Sequence, residues 1–211
     1  MGLTSDEARG SFDNFVVEDP ALNQILQTCR EWAAEPKGAL LMLGNCGTGK
    51  THLGVAIVRE QLRLGWTRLR FAKHRRFVFD HFHSLRPIAF DKEAPVSPLE
   101  TCKKASLLLY DDLSGPTGRD YQDLLMELFE HRIGNYLASI ITTNLTRGAL
   151  EQALGTRLFD RLCGASYACL EFGFESRRRA FNGAYLARYA EGKDKAARIQ
   201  PEYEEPLFQE G

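Results

Sequence analysis

Short apolar runs alternate with amphipathic segments along the 211 residues of this chain. Apolar or alternating runs are typical of strands, and they predict five strands, at about residues 39–43, 67–72, 106–112, 136–142 and 167–172. Apolar residues at helical spacing predict helices at about 20–34, 53–62, 73–85, 121–129, 150–161 (in one or two pieces, broken near Gly155) and 175–189. Because strands and helices alternate, we expect an α/β fold with a parallel sheet.

The predicted elements divide the chain into three parts. These are an N-terminal linker and helix, an α/β core, and an acidic tail that should be disordered when alone, in residues 1–35, 36–190 and 191–211. Asp19 can cap the first helix, and Pro20 suits its first position. The nearby aromatic residues Phe12 and Phe15 either staple this segment onto the core or lie beside an adenine pocket, and the sequence leaves both interpretations open. A segment with three prolines, at 87–98, predicts a surface loop.

Composition and charge exclude several classes of protein. Hydrophobic residues make up 44% and charged residues 26% of the chain, which is ordinary for a globular protein. The absence of a long apolar run or a secretory signal predicts a cytoplasmic protein without a membrane span. The cysteines are five in number and lack C-x-x-C spacing, which argues against a zinc site or a disulfide framework.

A local basic surface would be needed for nucleic-acid binding, because the formal net charge is only −1. The predicted helix at 73–85 carries such a set of side chains, with lysine, arginine and histidine next to three phenylalanines. It is either a surface that contacts DNA phosphates or a solvated cationic face of an amphipathic helix.

Residues 44–51 lie between the first predicted strand and a helix and match the pattern G-x-x-x-x-G-K-S/T. Glycines allow a tight turn in which successive N–H groups point inward, and the following helix adds its unpaired N–H groups and dipole. Lys50 can reach the β- and γ-phosphates of a triphosphate, and the Thr51 hydroxyl can ligate Mg²⁺. The alternative is a glycine-rich turn that arose by chance. The candidate binding residues are Gly44, Asn45, Cys46, Gly47, Thr48, Gly49, Lys50, Thr51 and His52.

Polar side chains follow two of the other predicted strands. Asp111 and Asp112 end the strand at 106–112, and Asn144 follows the strand at 136–142. Since the carboxyl ends of parallel strands meet at the crevice where ligands bind, Asp111 is placed to hold Mg²⁺ and Asp112 to orient or activate water. Asn144 can reach that water or the γ-phosphate. A plain Asp-Asp turn and a turn-forming asparagine are the alternatives.

Two arginines, Arg157 and Arg161, lie four apart on one face of the helix at 150–161. Such arginines can complete the active site of a neighbouring subunit by stabilising charge in the transition state. The alternatives are a partner for Asp160 or a solvent-facing role. A further arginine run at 177–179 is a nucleotide sensor, a DNA contact or a solvated face, and the sequence does not decide among these.

The order of these parts resembles the AAA+ ATPases of the DnaC/IstB type. The resemblance covers about residues 11–185 and is carried by the segments 44–51, 107–112, 142–144, 156–162 and 174–179. The entry segment at 12–15 and the helix after it look more like the DnaC helicase loaders than the IstB transposition helpers.

The resemblance implies a P-loop NTPase fold, a three-layer α/β/α sandwich whose parallel five-stranded sheet is ordered 5-1-4-3-2, with an AAA+ core and no clear lid domain. It implies ATP and Mg²⁺ as cofactors, with Thr51 and Asp111 on the metal and Lys50 and Asp112 in catalysis. Hydrolysis would be slow and would occur between subunits of a homo-oligomer. The resemblance also implies Asn144 as a sensor and an arginine finger at Arg161 or Arg157, of which we favour Arg161.

The family's loaders act on a replicative helicase and single-stranded DNA, which implies the same partners here. Two departures qualify this. The second acidic residue is usually Glu and here is Asp112, and only about 35 residues precede the P-loop strand, where loaders carry a module that grips the helicase. Two alternatives therefore stay open: an ATPase that assists a transposase on DNA, and a nucleotide-dependent module that regulates a partner and hydrolyses little.

Overall fold

The computed structural model describes residues 7–17, 19–85, 97–115 and 118–173, all within one compact unit, Met1–Glu175. After a short 3-10 turn at Glu7–Arg9, the helices in these ranges are α1 (Pro20–Ala34), α2 (Lys50–Arg63), α3 (His74–Ser84), α4 (Pro98–Lys104), α5 (Arg119–Gly134), α6 (Arg147–Leu154) and α7 (Thr156–Gly164). The strands are β1 (Ala39–Gly44), β2 (Leu69–Lys73), β3 (Leu107–Leu113), β4 (Ala138–Thr143) and β5 (Ser166–Phe172).

The five strands form one parallel sheet in the order β2-β3-β4-β1-β5. Read from β5 to β2, this is the predicted order 5-1-4-3-2, so the predicted sheet is confirmed. Because every pair is parallel, the carboxyl ends of β1, β3 and β4 lie side by side at one edge of the sheet. The three polar segments that follow those strands are therefore brought to one place.

Helices cover both faces of the sheet. Successive residues of β1 point to opposite faces: Leu41 packs in a core with residues of α3 to α7, and Leu40 and Met42 pack in a second core with residues of α1 and α2. A strand buried on both faces has no polar alternation, which is why β1 is a continuous apolar run. The three-layer α/β/α architecture of the prediction is confirmed.

The helix limits follow local signals in the sequence. The Asp19 side chain caps α1 by accepting a hydrogen bond of 2.8 Å from the Ala21 N–H, as predicted. Gly155, with φ of 79°, separates α6 from α7, so the predicted segment at 150–161 forms two helices. The loop predicted at 87–98 lies outside the described residues except at its end, where α4 begins. The predicted helix at 175–189 and the tail at 191–211 also lie outside them.

The segment before α1 packs against α2. Phe15 is buried and its ring meets the His52 ring edge-on, with centroids 5.4 Å apart. The His52 Nε2 lies 2.9 Å from the carbonyl oxygen of Ser11. Phe15 is thus held on the core, as the staple interpretation predicts, and it is held beside a residue that directly follows the P-loop, which keeps the adenine-pocket interpretation open.

In the described part of the chain, no helix is both long enough and apolar enough to cross a lipid bilayer.

Candidate nucleotide-binding site

The loop at 44–51 connects β1 to α2 at the carboxyl edge of the sheet. Gly44 has φ of 135°, and a Cβ there would lie 2.4 Å from the carbonyl oxygen of Phe172 on β5. Gly49 has φ of 105° and immediately precedes the first turn of α2. Both positions require glycine, because L-residues with a side chain rarely adopt these conformations and the neighbouring strand leaves no space at Gly44. The turn therefore delivers the N-terminus of α2 to the loop, as a phosphate site requires.

Lys50 is buried at the centre of this loop. Its Nζ donates hydrogen bonds of 2.7 Å each to the carbonyl oxygens of Gly44 and Asn45, and one of 3.0 Å to Oδ1 of Asn144. These acceptors hold the ammonium group where the loop wraps around it. Phosphate oxygens form stronger, charge-assisted hydrogen bonds with an ammonium group than neutral oxygens do. A triphosphate in the loop would therefore compete well for the Lys50 donors.

Asp111 is buried on β3 and accepts two hydroxyl groups. The hydroxyl of Thr51 on α2 and the hydroxyl of Thr142 on β4 each donate to its Oδ1 over 2.7 Å. Hydroxyl and carboxylate oxygens are the hard donors that Mg²⁺ takes in proteins, together with water and substrate phosphates. The predicted pair of Mg²⁺ ligands, Thr51 and Asp111, is thus in direct contact, and the donor set fits the ion.

Asp112 has an unusual backbone conformation. The strand does not end in the two carboxylates, as the apolar run predicted, but continues to Leu113 with an irregular register between Tyr110 and Leu113. Asp112 lies within this irregular stretch and has φ of 59°. This value is in the left-handed region, which Asp tolerates better than most residues. The Asp112 N–H donates to the Thr142 hydroxyl over 2.9 Å, and Asp112 is exposed, unlike the buried Asp111.

Asn144 connects the loop to the second carboxylate. Its Oδ1 accepts from Lys50, and its Nδ2 donates to Oδ1 of Asp112 over 2.6 Å. A side chain between the P-loop lysine and this carboxylate can contact both a γ-phosphate and the water that attacks it. The structure therefore joins Lys50, Asn144 and Asp112 in one hydrogen-bonded chain.

Two neighbours of this network were missed by the sequence analysis. Thr142 orients both Asp111 and the Asp112 backbone, and its position at the end of a strand just before Asn144 was a usable signal. His74, at the start of α3, is buried with its Nδ1 2.9 Å from the Tyr110 hydroxyl. Burial lowers the pKa of His74, and the charge of Asp112 partly opposes this. No local pattern distinguished His74 from the other basic residues of its helix.

The arginines Arg157 and Arg161 lie apart from this network on the surface of α7. Nη2 of Arg157 lies 3.2 Å, and Nη1 of Arg161 2.8 Å, from the same Oε1 of Glu130 on α5. Their acidic partner is thus on another helix and not Asp160, which corrects one alternative of the sequence analysis. The finger assignment concerns a neighbouring subunit and stays a prediction. The arginine run at 177–179 lies outside the described residues.

Comparison with protein-family models matches residues 12–180 to the family described as IstB-like ATP binding protein. The replicative helicase loader DnaC of Buchnera aphidicola (subsp. Acyrthosiphon pisum, strain APS) is 23% identical over 180 residues, 82% of this chain and 71% of that protein. A solved DnaC helicase loader matches with a TM-score of 0.69 at 21% identity, over 80% of this chain and 99% of that one.

A structure of the replication initiator DnaA bound to AMPPCP and single-stranded DNA matches with a TM-score of 0.68 at 19% identity, over 95% of this chain and 67% of that one. At such identities the structural matches show the fold alone, and they confirm the P-loop NTPase architecture. The family match extends over most of the chain, and it confirms the resemblance that the motifs indicated.

Proposed function

The chain belongs to the family of IstB-like ATP-binding proteins, and from this premise we propose that it is an AAA+ ATPase that assembles on DNA in the cytoplasm and loads or remodels a replicative helicase. The observation that carries the ATPase part is the convergence at one sheet edge of a lysine from the P-loop, two carboxylates from β3 and an asparagine that follows β4. Asn144 contacts both Lys50 and Asp112, and Asp111 contacts the hydroxyl of Thr51, the residue next to Lys50.

Each residue of the site has a defined role in this proposal. The backbone N–H groups of residues 44–49 and Lys50 bind the phosphates, while Thr51 and Asp111 hold Mg²⁺. When bound, Mg²⁺ would supply positive charge that offsets the negative charge of the phosphates. Asp112 and Asn144 orient the water, because the hydrogen bond between them fixes both side chains near the end of Lys50.

The position of the arginines supports assembly of several subunits. Arg157 and Arg161 are on the surface of α7 and bind Glu130, away from their own subunit's Lys50–Asn144–Asp112 chain. A guanidinium from an adjacent subunit can supply the missing positive charge at the γ-phosphate. Turnover would then require contact between subunits, with the ATP site at their interface.

Helix α3 is the surface best suited to DNA. The Arg76 guanidinium lies over the exposed ring of Phe79, with its Cζ atom 5.8 Å from the ring centroid. The Phe79 ring also stacks on the His83 ring, and the two ring centroids are 5.8 Å apart. Aromatic rings flanked by cations favour single strands, since bases stack on the rings while the cations contact phosphates. DnaA, the structural relative bound to single-stranded DNA, supports this choice of strand. Arg76 also pairs with Asp80, which reduces its free charge.

A second candidate function is assistance of a transposase on duplex DNA. The match to the IstB-like family favours it, whereas the DnaC relative favours a helicase as partner. A module that binds nucleotide and hydrolyses little is the third possibility, because Asp112 is one methylene shorter than Glu.

Steady-state hydrolysis of ATP, measured against protein concentration, tests the proposal. We expect turnover per subunit to rise with protein concentration, and to rise further with single-stranded DNA or a replicative helicase. Phe79→Ala should weaken the stimulation by DNA, while Tyr136→Ala, which removes another exposed aromatic residue at the opposite edge of the sheet, should not. Stimulation only by duplex DNA with a transposase would support the second function, and turnover insensitive to all of these would contradict the first.

A further inference from the structure

Two cationic side chains converge on one carboxylate at the junction of α5 and α7. Arg157 and Arg161 lie one turn apart on α7, and both contact the same oxygen of Glu130. The Glu130 side chain is 26% exposed, whereas those of Arg157 and Arg161 are 70% and 47% exposed. The acid is therefore the more buried partner, and the two guanidinium groups extend from it toward solvent. We call Glu130, Arg157 and Arg161 the arginine cluster.

The Glu130 carboxylate changes how Arg157 and Arg161 can be arranged. Guanidinium groups one turn apart on a helix repel each other, and each long side chain loses rotamer entropy when it is fixed in one position. A shared anion reduces the repulsion and fixes both side chains before any ligand arrives. Each guanidinium has five N–H donors, and the contact with Glu130 engages one terminal nitrogen of each. Donors therefore remain for a second anion.

We propose that Glu130 is a positioning residue that holds Arg157 and Arg161 together, so that both meet the γ-phosphate of the ATP bound by the neighbouring subunit. This inference rests on the proposed function, and it adds a residue and a second arginine to the catalytic interface. Arg157 and Arg161 act as a pair, and Glu130 acts through them without touching the nucleotide.

A purely structural role is the main competing explanation, since Glu130 also links two helices. Exposed ion pairs contribute little to stability, so the loss of this link alone should leave the fold and the subunit's own nucleotide site intact. The opposite functional role is that Glu130 masks the arginines until assembly, in which case removing its charge would raise turnover.

The first experiment compares Glu130→Gln with a matched variant of the same helix, Glu127→Gln. Glu127 lies one turn earlier on α5 and forms an ion pair with Lys103, so its variant also removes a surface carboxylate and a salt bridge. We expect Glu130→Gln to lower kcat of the assembled protein about fivefold, the rate equivalent of about 1 kcal/mol. The affinity of a single subunit for ATP should be unchanged, and Glu127→Gln should change neither quantity.

The second experiment mixes variants and tests whether Glu130 acts on the neighbour. Lys50→Ala subunits lack the phosphate-binding ammonium group but carry an intact arginine cluster. Added to Glu130→Gln subunits, they should restore turnover, whereas subunits with both substitutions should not. A defect in the Glu130→Gln subunit's own fold would not be repaired by a neighbour. If Glu130→Gln does not fold, Glu130→Asp, which withdraws the carboxylate by one methylene, takes its place in both experiments.

The outcomes separate this inference from the proposed function. If Arg157→Ala and Arg161→Ala lower turnover but Glu130→Gln does not, the positioning role is wrong and the proposed ATPase stands. If neither arginine matters, the trans-acting finger itself is wrong and the role of Glu130 falls with it. Higher turnover in Glu130→Gln would mean that the carboxylate masks the arginines, which also overturns the inference.

Discussion

Asp112 shows how the backbone of one residue determines what its side chain can do. Asp112 has a left-handed φ of 59° and is exposed, while its N–H is fixed by Thr142. Neighbouring Asp111 has the ordinary strand direction and faces the Thr51 hydroxyl. Two consecutive acids therefore have different environments, and for this reason we propose metal binding for the buried one and a role at the water for the exposed one.

Asp112→Asn is the substitution that tests this assignment with least disturbance. Asn tolerates the left-handed conformation and can still accept the hydrogen bond from Asn144, so the shape of the site is kept while the negative charge is lost. We expect kcat to fall about a hundredfold, as for the loss of a general base, with ATP affinity unchanged. Single-turnover hydrolysis with ATP in excess of its dissociation constant measures this. An unchanged kcat would remove Asp112 from the mechanism and favour the regulatory module.

Helix α5 contains a residue that its own pattern does not explain. Arg132 continues the apolar face of Leu125, Leu128 and Phe129, and it is fully buried. Its guanidinium donates to the carbonyl oxygens of Cys102, Ala105 and Ala138 and to the Ser139 hydroxyl, over 2.5–2.9 Å. Burial lowers the pKa of Arg132 to about 10, which leaves it charged at neutral pH. One cation thus joins α5 to the end of α4 and the start of β4.

Removal of this guanidinium should destabilise the fold strongly. Arg132→Ala leaves several buried acceptors without a donor and creates a cavity, so we expect the free energy of unfolding to fall by about 3 kcal/mol or more. Arg63→Ala is the control, because that side chain is 77% exposed and pairs with Glu60 on the surface, where the expected change is about 0.5 kcal/mol. Urea unfolding of both variants measures the difference, and a loss below about 1 kcal/mol for Arg132→Ala would contradict this account of α5.

The elements differ in how well the sequence predicted them, and the reason is the range of the interactions. Apolar spacing predicted β1, α2 and β4 because burial is repeated along each element. The Asp19 cap and the division of the helix at Gly155 were also predictable, since their signals are local. Helix α4 was not predicted as a helix, because its seven residues are too few to show a clear apolar period.

The contacts of Arg132 and Glu130 could not be predicted from the sequence, for a different reason. Arg132 donates hydrogen bonds to carbonyl oxygens near residue 103, and Glu130 forms ion pairs with arginines on α7. Only the tertiary fold brings these groups together. The site was predicted better than these contacts, because parallel strands place their carboxyl ends at one edge. The hydrogen bond between Asn144 and Asp112 could not be predicted in this way, because it depends on the irregularity in β3.

The whole molecule places its P-loop, its acidic pair and Asn144 at one edge of a single sheet, although these segments are far apart in sequence. The surface arginines bind Glu130, and the exposed part of α3 carries Arg76 and Phe79, which is why the proposal assigns the arginines to neighbouring subunits and α3 to DNA. Every part of the account depends on the loop at 44–51 binding a triphosphate. If that site fails, the roles of Glu130, Arg157 and Arg161 fail with it.

Isothermal titration calorimetry with ATP and Mg²⁺ is the most direct test of this central claim. We predict saturable binding by the unmodified protein that weakens when Mg²⁺ is removed, and a loss of affinity of about a hundredfold in Lys50→Ala, since that variant loses charge-assisted hydrogen bonds to phosphate. Thermal unfolding of both proteins shows that they are folded. An unmodified protein that is folded but gives no saturable heat, or a Lys50→Ala variant that binds ATP equally well, would contradict the account.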